Sequence, residues 1–267
     1  MDTLSSGQVT ASAADVYEEF FVPALFRPWA NHVADAAAIA SGQGVLDVAC
    51  GTGVLTREIH TRVQPGGTAT GLDCNPDMLA TAKRTEPAVD WQSGRAEALP
   101  FADHSFDAVV SQFGIMFFED RQTALTEMWR VLRPGGKLAI AVWDKLDNTP
   151  GYAAMIALLD RLFGPQVAAA LQAPFVLGEP DELRALLAAA GISQASIETR
   201  NETAKFPSIS EWVHTDVKGW TLADMVDDEQ YALLQREAQI DLAPFAIAKG
   251  GPVEFTAPGH IISATKP

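Results

Sequence analysis

Cysteine is scarce in this chain, with two residues, Cys50 and Cys74, in 267. Two thiols cannot by themselves build a disulfide framework or a four-ligand zinc site, so a reducing compartment fits and no metal site is expected. Basic residues are few as well: 19 Lys and Arg stand against 34 Asp and Glu, a net charge of −15, and they do not cluster. That balance excludes a footprint on phosphate backbones, so neither nucleic acid nor an anionic lipid surface is an expected partner. No uninterrupted apolar run approaches the roughly 20 residues of a membrane span. The first basic residue is Arg27, so a charged leader ahead of an apolar run is missing and a cytoplasmic location is the expectation. Repeats, linkers and low-complexity tracts are also missing. What is there, 48% hydrophobic and 20% charged residues, describes one compact domain or one domain with an added lobe.

The first ten or so residues are small and polar without periodicity, which predicts loose order. From Asp15, a helix cap by residue type, the segment to about residue 40 concentrates Tyr17, Phe20, Phe21, Phe26 and Trp29. Pro23 and Pro28 are expected to divide it into short helices, and residues 1–40 read as a helical cover over something apolar.

Beyond that segment the pattern becomes strand, turn, helix. Val45 to Ala49 lead into Cys50-Gly51-Thr52-Gly53 and the helical stretch from Val54. A second strand ends at Asp73 and a second helix follows Asn75-Pro76. Further strands are expected at 89–92, 106–111 and 137–143, and such alternation implies an α/β fold with a parallel sheet covered on both faces. After Trp143 the rhythm is disturbed. Residues 150–178 read as an insertion, a helix followed by an aromatic loop. A helix from Pro180 to Gly191 and a strand across 193–206 come next, then a second insertion over 208–250 and a last strand from Pro252.

Glycine at a strand-to-helix turn exposes backbone N–H groups to a close ligand, because it lacks a β-carbon and tolerates positive φ. An ordinary turn would look the same. Asp73, twenty residues after Gly53 at the end of the next strand, adds a carboxylate placed to accept from ribose hydroxyls. A nicotinamide enzyme would share this geometry, but its fingerprint needs a small residue at position 56. This chain has Thr56, read as an obstruction to close helix packing.

Five segments in order, VLDVACGTG (45–53), GLDCNPDML (71–79), RAEALPF (95–101), SFDAVVSQFGIMFF (105–118) and VLRPGGKLAIAVW (131–143), resemble class I S-adenosylmethionine-dependent methyltransferases. The similarity is to the branch of ubiquinone and menaquinone biosynthesis enzymes and covers about residues 43–143. It implies a Rossmann-like seven-stranded sheet, mostly parallel with an antiparallel last strand, within a methyltransferase domain over 41–267. It also implies S-adenosyl-L-methionine as cofactor. Asp47, Ala49, Gly51 and Gly53 would surround its methionine part and Asp73 its ribose. Met78 would lie on the adenine, and the Ala96 N–H would meet a ring nitrogen. Many relatives have an aspartate where this chain has Arg95, which accepts nothing; Glu97 or a backbone carbonyl would serve instead. Ser111 and Gln112, ending the fourth strand, complete the cofactor set.

The implied activity is methyl transfer to a small hydrophobic or aromatic acceptor. A nicotinamide-dependent oxidoreductase and a non-catalytic S-adenosylmethionine-binding protein remain alternatives. Asn75-Pro76 follows the second strand rather than the fourth, so methylation of nucleic-acid amines is rejected. Tyr17, Trp29, Phe113, Phe175 and Trp212 are the acceptor-site candidates, within a cover that also carries Tyr152, Phe163, Trp220 and Phe245. Residues Ile115 to Phe118 could line the acceptor cavity or fill core. No catalytic base is assigned. His32 and His214 could reach a cleft mouth, whereas His60, His104 and His260 read as structural or exposed. Both cysteines read as small buried packing residues.

Overall fold

The apolar residues of β1 (Gly44–Val48) are buried because strands pair on either side of it: β2 (Thr68–Asp73) and β4 (Phe106–Gln112), both parallel. The computed structural model describes residues 11–219 and 221–267. The expected looseness of the first ten residues, and Trp220, lie outside the described residues. β3 (Asp90–Ser93) adds beside β2, and β5 (Leu132–Trp143) beside β4, again in parallel. β7 (Val253–Thr265) runs antiparallel between β5 and β6 (Ser196–Phe206), so the order is β3-β2-β1-β4-β5-β7-β6. This is the seven-stranded, mostly parallel α/β sheet that the resemblance implies. β5 begins five residues earlier than its apolar run, because Leu132 pairs with Phe106 ahead of an irregular turn through Gly135, φ +79°.

The chain ahead of β1 differs from its expected form. α1 (Ala11–Val16) runs on through a π-helix, Tyr17–Phe26, into α2 (Arg27–Ala36), and Pro23 sits inside rather than ending a helix. The turns here are π-type, with the Arg27 N–H donating to Val22 O five residues back, and Pro23 is carried within them. Asp15 is not a cap. Its carboxylate pairs with Arg84 and accepts from Thr81 at 3.1 Å, fastening α1 to α4 (Pro76–Thr85). Glu18 pairs with Arg57 of α3 (Val54–Val63) at 2.7 Å, and Gln112 Nε2 donates to Phe26 O at 3.0 Å. Trp29 is fully buried, its ring edge-on to both Phe113 and Trp143.

Helix starts follow their caps. Asn75 accepts from the N–H groups of Asp77 and Met78 at α4, and Asp120 from Thr123 at α5 (Arg121–Val131). The first insertion holds two helices rather than one, α6 (Pro150–Phe163) and α7 (Pro165–Gln172), separated by Gly164 at φ +86° and followed by a 3₁₀ turn at Ala173–Phe175. α8 (Pro180–Ala189) ends before Gly191, φ +82°. The second insertion holds α9 (Ile209–Lys218) and α10 (Asp228–Asp241), the latter opened by a reciprocal Asp227/Gln230 capping box. α10 packs on α6, so the two insertions form one layer. Among the described residues, no helix is long and apolar enough to cross a membrane.

Candidate functional site

Beyond the carboxyl ends of β1, β2 and β4 the backbone is held in conformations that side chains rarely adopt. Ala49 has φ +59° and Phe113 φ +54°, left-handed values that cost a non-glycine residue about 1–3 kcal/mol each. The two loops touch. A β-carbon on Gly114 would come within 2.6 Å of Ala49 Cβ, so only glycine lets them pack. Gly51 (φ +54°) and Gly53 (φ +90°) serve different ends. A β-carbon at Gly51 would point into open space, whereas one at Gly53 would lie 2.3 Å from Trp91 Cη2. Gly51 thus leaves backbone open to a ligand, and Gly53 seats the start of α3 on Trp91.

These ends enclose a first cavity of about 140 Å³. Asp47, Ala49, Gly51, Asp73, Met78, Ala96, Glu97 and Gln112 line it; Gly53 and Ser111 do not. Ser111 is fully buried behind the wall with its hydroxyl unpaired. Tyr17, an expected acceptor residue, lines this cavity instead, its phenol pushed up by burial and by the nearby charges of Glu18 and Asp73.

Charge in this cavity is lopsided. Asp47, Asp73, Glu97 and Glu119 line it, and Arg95 is the counter-ion of the last two only. Asp47 Oδ2 accepts from Thr56 Oγ1 at 2.6 Å, while Oδ1 is buried with no partner. Burial pushes this carboxyl up to about 7, against the pull of the Thr56 hydrogen bond. Thr56 is therefore a donor to the site rather than an obstruction. Asp73 Oδ2 accepts the Gly51 N–H and Oδ1 the Asn75 N–H, both at 2.8 Å; burial raises its carboxyl and these bonds hold it down. At the far end Arg95 pairs with Glu119 at 2.8 Å and Glu97 at 3.5 Å, and Glu97 Oε1 accepts the Glu119 N–H at 3.0 Å. Cys50 is buried with its thiol pushed up, a packing residue, but Cys74 is exposed, contrary to its expected burial.

A second, smaller cavity of about 40 Å³ adjoins the first, and Phe113 and Phe117 line both. Its other walls are mostly apolar: Phe21, Leu25 and Phe26 from the π-helix, Trp143 from β5, Tyr152 from α6, and Leu171 and Phe175 from the first insertion. Phe113 stacks on Trp143 at 3.8 Å between ring centroids, which fixes the dividing wall. Of the acceptor candidates, Phe113 and Phe175 line this space. Trp29 and Trp212 stand one layer behind, Trp29 against Phe113 and Trp212 edge-on to Tyr152. His32 lies 2.6 Å from Glu202, and His214 rests against Phe20 with Nδ1 3.3 Å from Tyr231 Oη; neither lines either of these two cavities.

Gly114, Thr149 and Asp216 are among the lining residues that escape the sequence reading, Asp216 buried on α9, while Phe117, left open between cavity lining and core, lines both cavities. Asp216 had a signal. It falls four residues after Trp212 and three after Val213, on the helix face that also buries Ile209 and Val217.

Residues 46–140 match the family model described as a methyltransferase domain. With the sheet order and the glycine loop, that match makes this part of the chain similar to methyltransferase domains of the class I type. Within the class, the similarity runs to the quinone-biosynthesis branch. A demethylmenaquinone methyltransferase of Renibacterium salmoninarum is 42% identical over 127 residues, covering 48% of this chain and 52% of that protein. A ubiquinone/menaquinone biosynthesis C-methyltransferase UbiE of Roseobacter denitrificans is 40% identical over 144 residues, 52% and 57% of the two chains. The chain thus spans about half the length of the curated relatives it matches. Two solved structures share the fold at low identity. Phosphoethanolamine N-methyltransferase 2 of Haemonchus contortus, in complex with S-adenosyl-L-methionine, has a TM-score of 0.62 at 20% identity, over 100% of this chain and 59% of that one. The YcgJ protein of Bacillus subtilis has 0.58 at 18%, over 89% and 97%.

Proposed function

We propose that the protein transfers a methyl group from S-adenosylmethionine to a small, largely hydrophobic or aromatic acceptor. The observation that carries this reading is the meeting of two unlike cavities, one edged by carboxyls and one almost wholly apolar, at the shared wall of Phe113 and Phe117. The first fits the methyl donor. Asp47 Oδ1, buried without a partner, suits the ammonium of its methionine part, and the open face of Gly51 leaves room for that part beside the backbone. Asp73 suits the ribose hydroxyls, while Met78, the Ala96 N–H and Glu97 suit the adenine. A field dominated by carboxyls favours a ligand with a sulfonium and an ammonium against one carboxylate. A dinucleotide pyrophosphate would meet Asp47 instead, which argues against the nicotinamide alternative.

Bound there, the donor supplies a methyl on a sulfonium, already activated for in-line displacement. The protein's part is positioning and exclusion of water. The N-terminal segment, tied down through Asp15, Glu18 and Gln112, acts with the two insertions as the cover. The aromatic lining of the second cavity supports an apolar ring as acceptor. The insertions that build it lie outside the matched residues 46–140, so the acceptors named for the relatives are a starting point for the screen.

The test is turnover with methyl-labelled S-adenosylmethionine against reduced demethylmenaquinone and a panel of other phenolic and apolar compounds. Label should pass to an acceptor with equal formation of S-adenosylhomocysteine. Binding of the donor with no transfer to any acceptor in a broad metabolite screen would favour the non-catalytic alternative.

A further inference from the structure

The second cavity is apolar except for three lining residues, Asp216, Tyr152 and Thr149. Asp216 is 1% exposed and Thr149 fully buried. Tyr152 Oη donates to Asp216 Oδ1 across 3.3 Å, while Asp216 Oδ2 and Thr149 Oγ1 have no hydrogen-bond partner. The indole N–H of Trp212 faces the same carboxyl without reaching hydrogen-bond geometry. Among the described residues no cation contributes to the carboxyl's environment; burial pushes it well above the usual range, opposed by Tyr152 and Trp212. Leaving two oxygens unused in a dry, aromatic space is costly. An aliphatic residue would complete the buried face of α9 at no such cost, so packing does not account for Asp216.

We propose that Asp216 and Thr149 receive a hydroxyl on the otherwise apolar acceptor and so fix which of its atoms faces the Phe113–Phe117 wall. The complementarity is specific. A hydroxyl both donates and accepts, so it can pair with Asp216 Oδ2 and with Thr149 Oγ1 whichever side gives the proton, whereas an ether can only accept. The assignment rests on the methyl-transfer reading, since it names the group that orients the acceptor. Asp216 acts here as a specificity residue.

The experiment compares 1-naphthol with 1-methoxynaphthalene, equal in ring and different in the hydroxyl hydrogen, binding to the protein saturated with S-adenosylhomocysteine. The wild type should favour the naphthol by about tenfold or more. Asp216→Leu should reduce that preference to within about threefold, and Tyr152→Phe, which frees Oδ1, should retain it. Equal binding of the two probes by the wild type, or a full preference retained in Asp216→Leu, overturns the proposal. So does a preference lost in Tyr152→Phe but kept in Asp216→Leu. If Asp216→Leu does not fold, a crystal structure of the wild type with 1-naphthol decides: a hydroxyl bonded to Asp216 supports the proposal, and one bonded elsewhere contradicts it. Failure of S-adenosylhomocysteine to bind in the same titrations would sink the methyl-transfer reading itself.

Discussion

Thr56 Oγ1 donates a 2.6 Å hydrogen bond to one oxygen of Asp47 and leaves the other, buried, without a partner. The pair puts a half-satisfied carboxyl under the glycine loop, where burial holds it near neutrality at about 7. Such a group is neutral below that value and charged above it. A ligand ammonium favours the charged form, so its binding there is linked to loss of a proton.

The affinity for S-adenosylmethionine should therefore rise by up to about tenfold between about pH 6 and about pH 8. Calorimetry in buffers of different ionisation heat should show proton release at the lower pH. Asp47→Asn should flatten the profile. Thr56→Val, which removes the bond that lowers the carboxyl, should move the rise to higher pH. A wild-type profile as flat as that of Asp47→Asn would remove Asp47 from the site.

Asp73 anchors the loop as well as facing the cavity, since both its oxygens accept backbone N–H groups. Asp73→Ala should weaken cofactor binding by about 1.5–3 kcal/mol for each charged hydrogen bond lost. It should also lower stability by roughly 1–3 kcal/mol, because the Gly51 and Asn75 N–H groups lose their partner. Titration and denaturant unfolding measure the two effects. Unchanged values in both would contradict the assignment.

The two loop glycines should fail differently. Gly51→Val directs its side chain into the first cavity and should abolish cofactor binding, with a stability cost of about 1–2 kcal/mol from its positive φ. Gly53→Ala drives a β-carbon into Trp91 and should cost stability first. Melting temperatures and dissociation constants, measured side by side, separate the cases; Gly51→Val with near-normal binding would reduce the loop to a turn.

Trp29→Ala should destabilise by about 3–5 kcal/mol, as expected for a fully buried indole. Phe175→Ala, at a partly buried position on the cavity wall, should leave stability within about 1 kcal/mol and change acceptor KM or kcat while cofactor affinity holds. A destabilised Phe175→Ala with normal acceptor kinetics would contradict this division.

The contrast between Trp29 and Phe175 marks where sequence reading stops. Local periodicity carries the βα alternation, and the glycine loop and Asp73 can be placed from it, whereas Asp47, Met78, Ala96 and Glu97 were implied by the resemblance alone. An aromatic cluster does not say which ring lines a space and which backs it; that depends on how the N-terminal segment packs on β4 and β5. Thr56 read as an obstruction because its side-chain direction, toward Asp47, appears only once α3 is seated on Trp91. Pro23 read as a break because π geometry has no signal in residue type. Asp216 went unseen because an acidic residue in a charged, amphipathic helix resembles a solvated one until its neighbours are placed.

The most direct test of the account is a calorimetric titration of the purified protein with S-adenosylmethionine and, separately, with NAD. The account predicts saturable binding of S-adenosylmethionine that Gly51→Val abolishes, and no binding of NAD. Binding of NAD, or wild-type protein that takes up no S-adenosylmethionine, would contradict it.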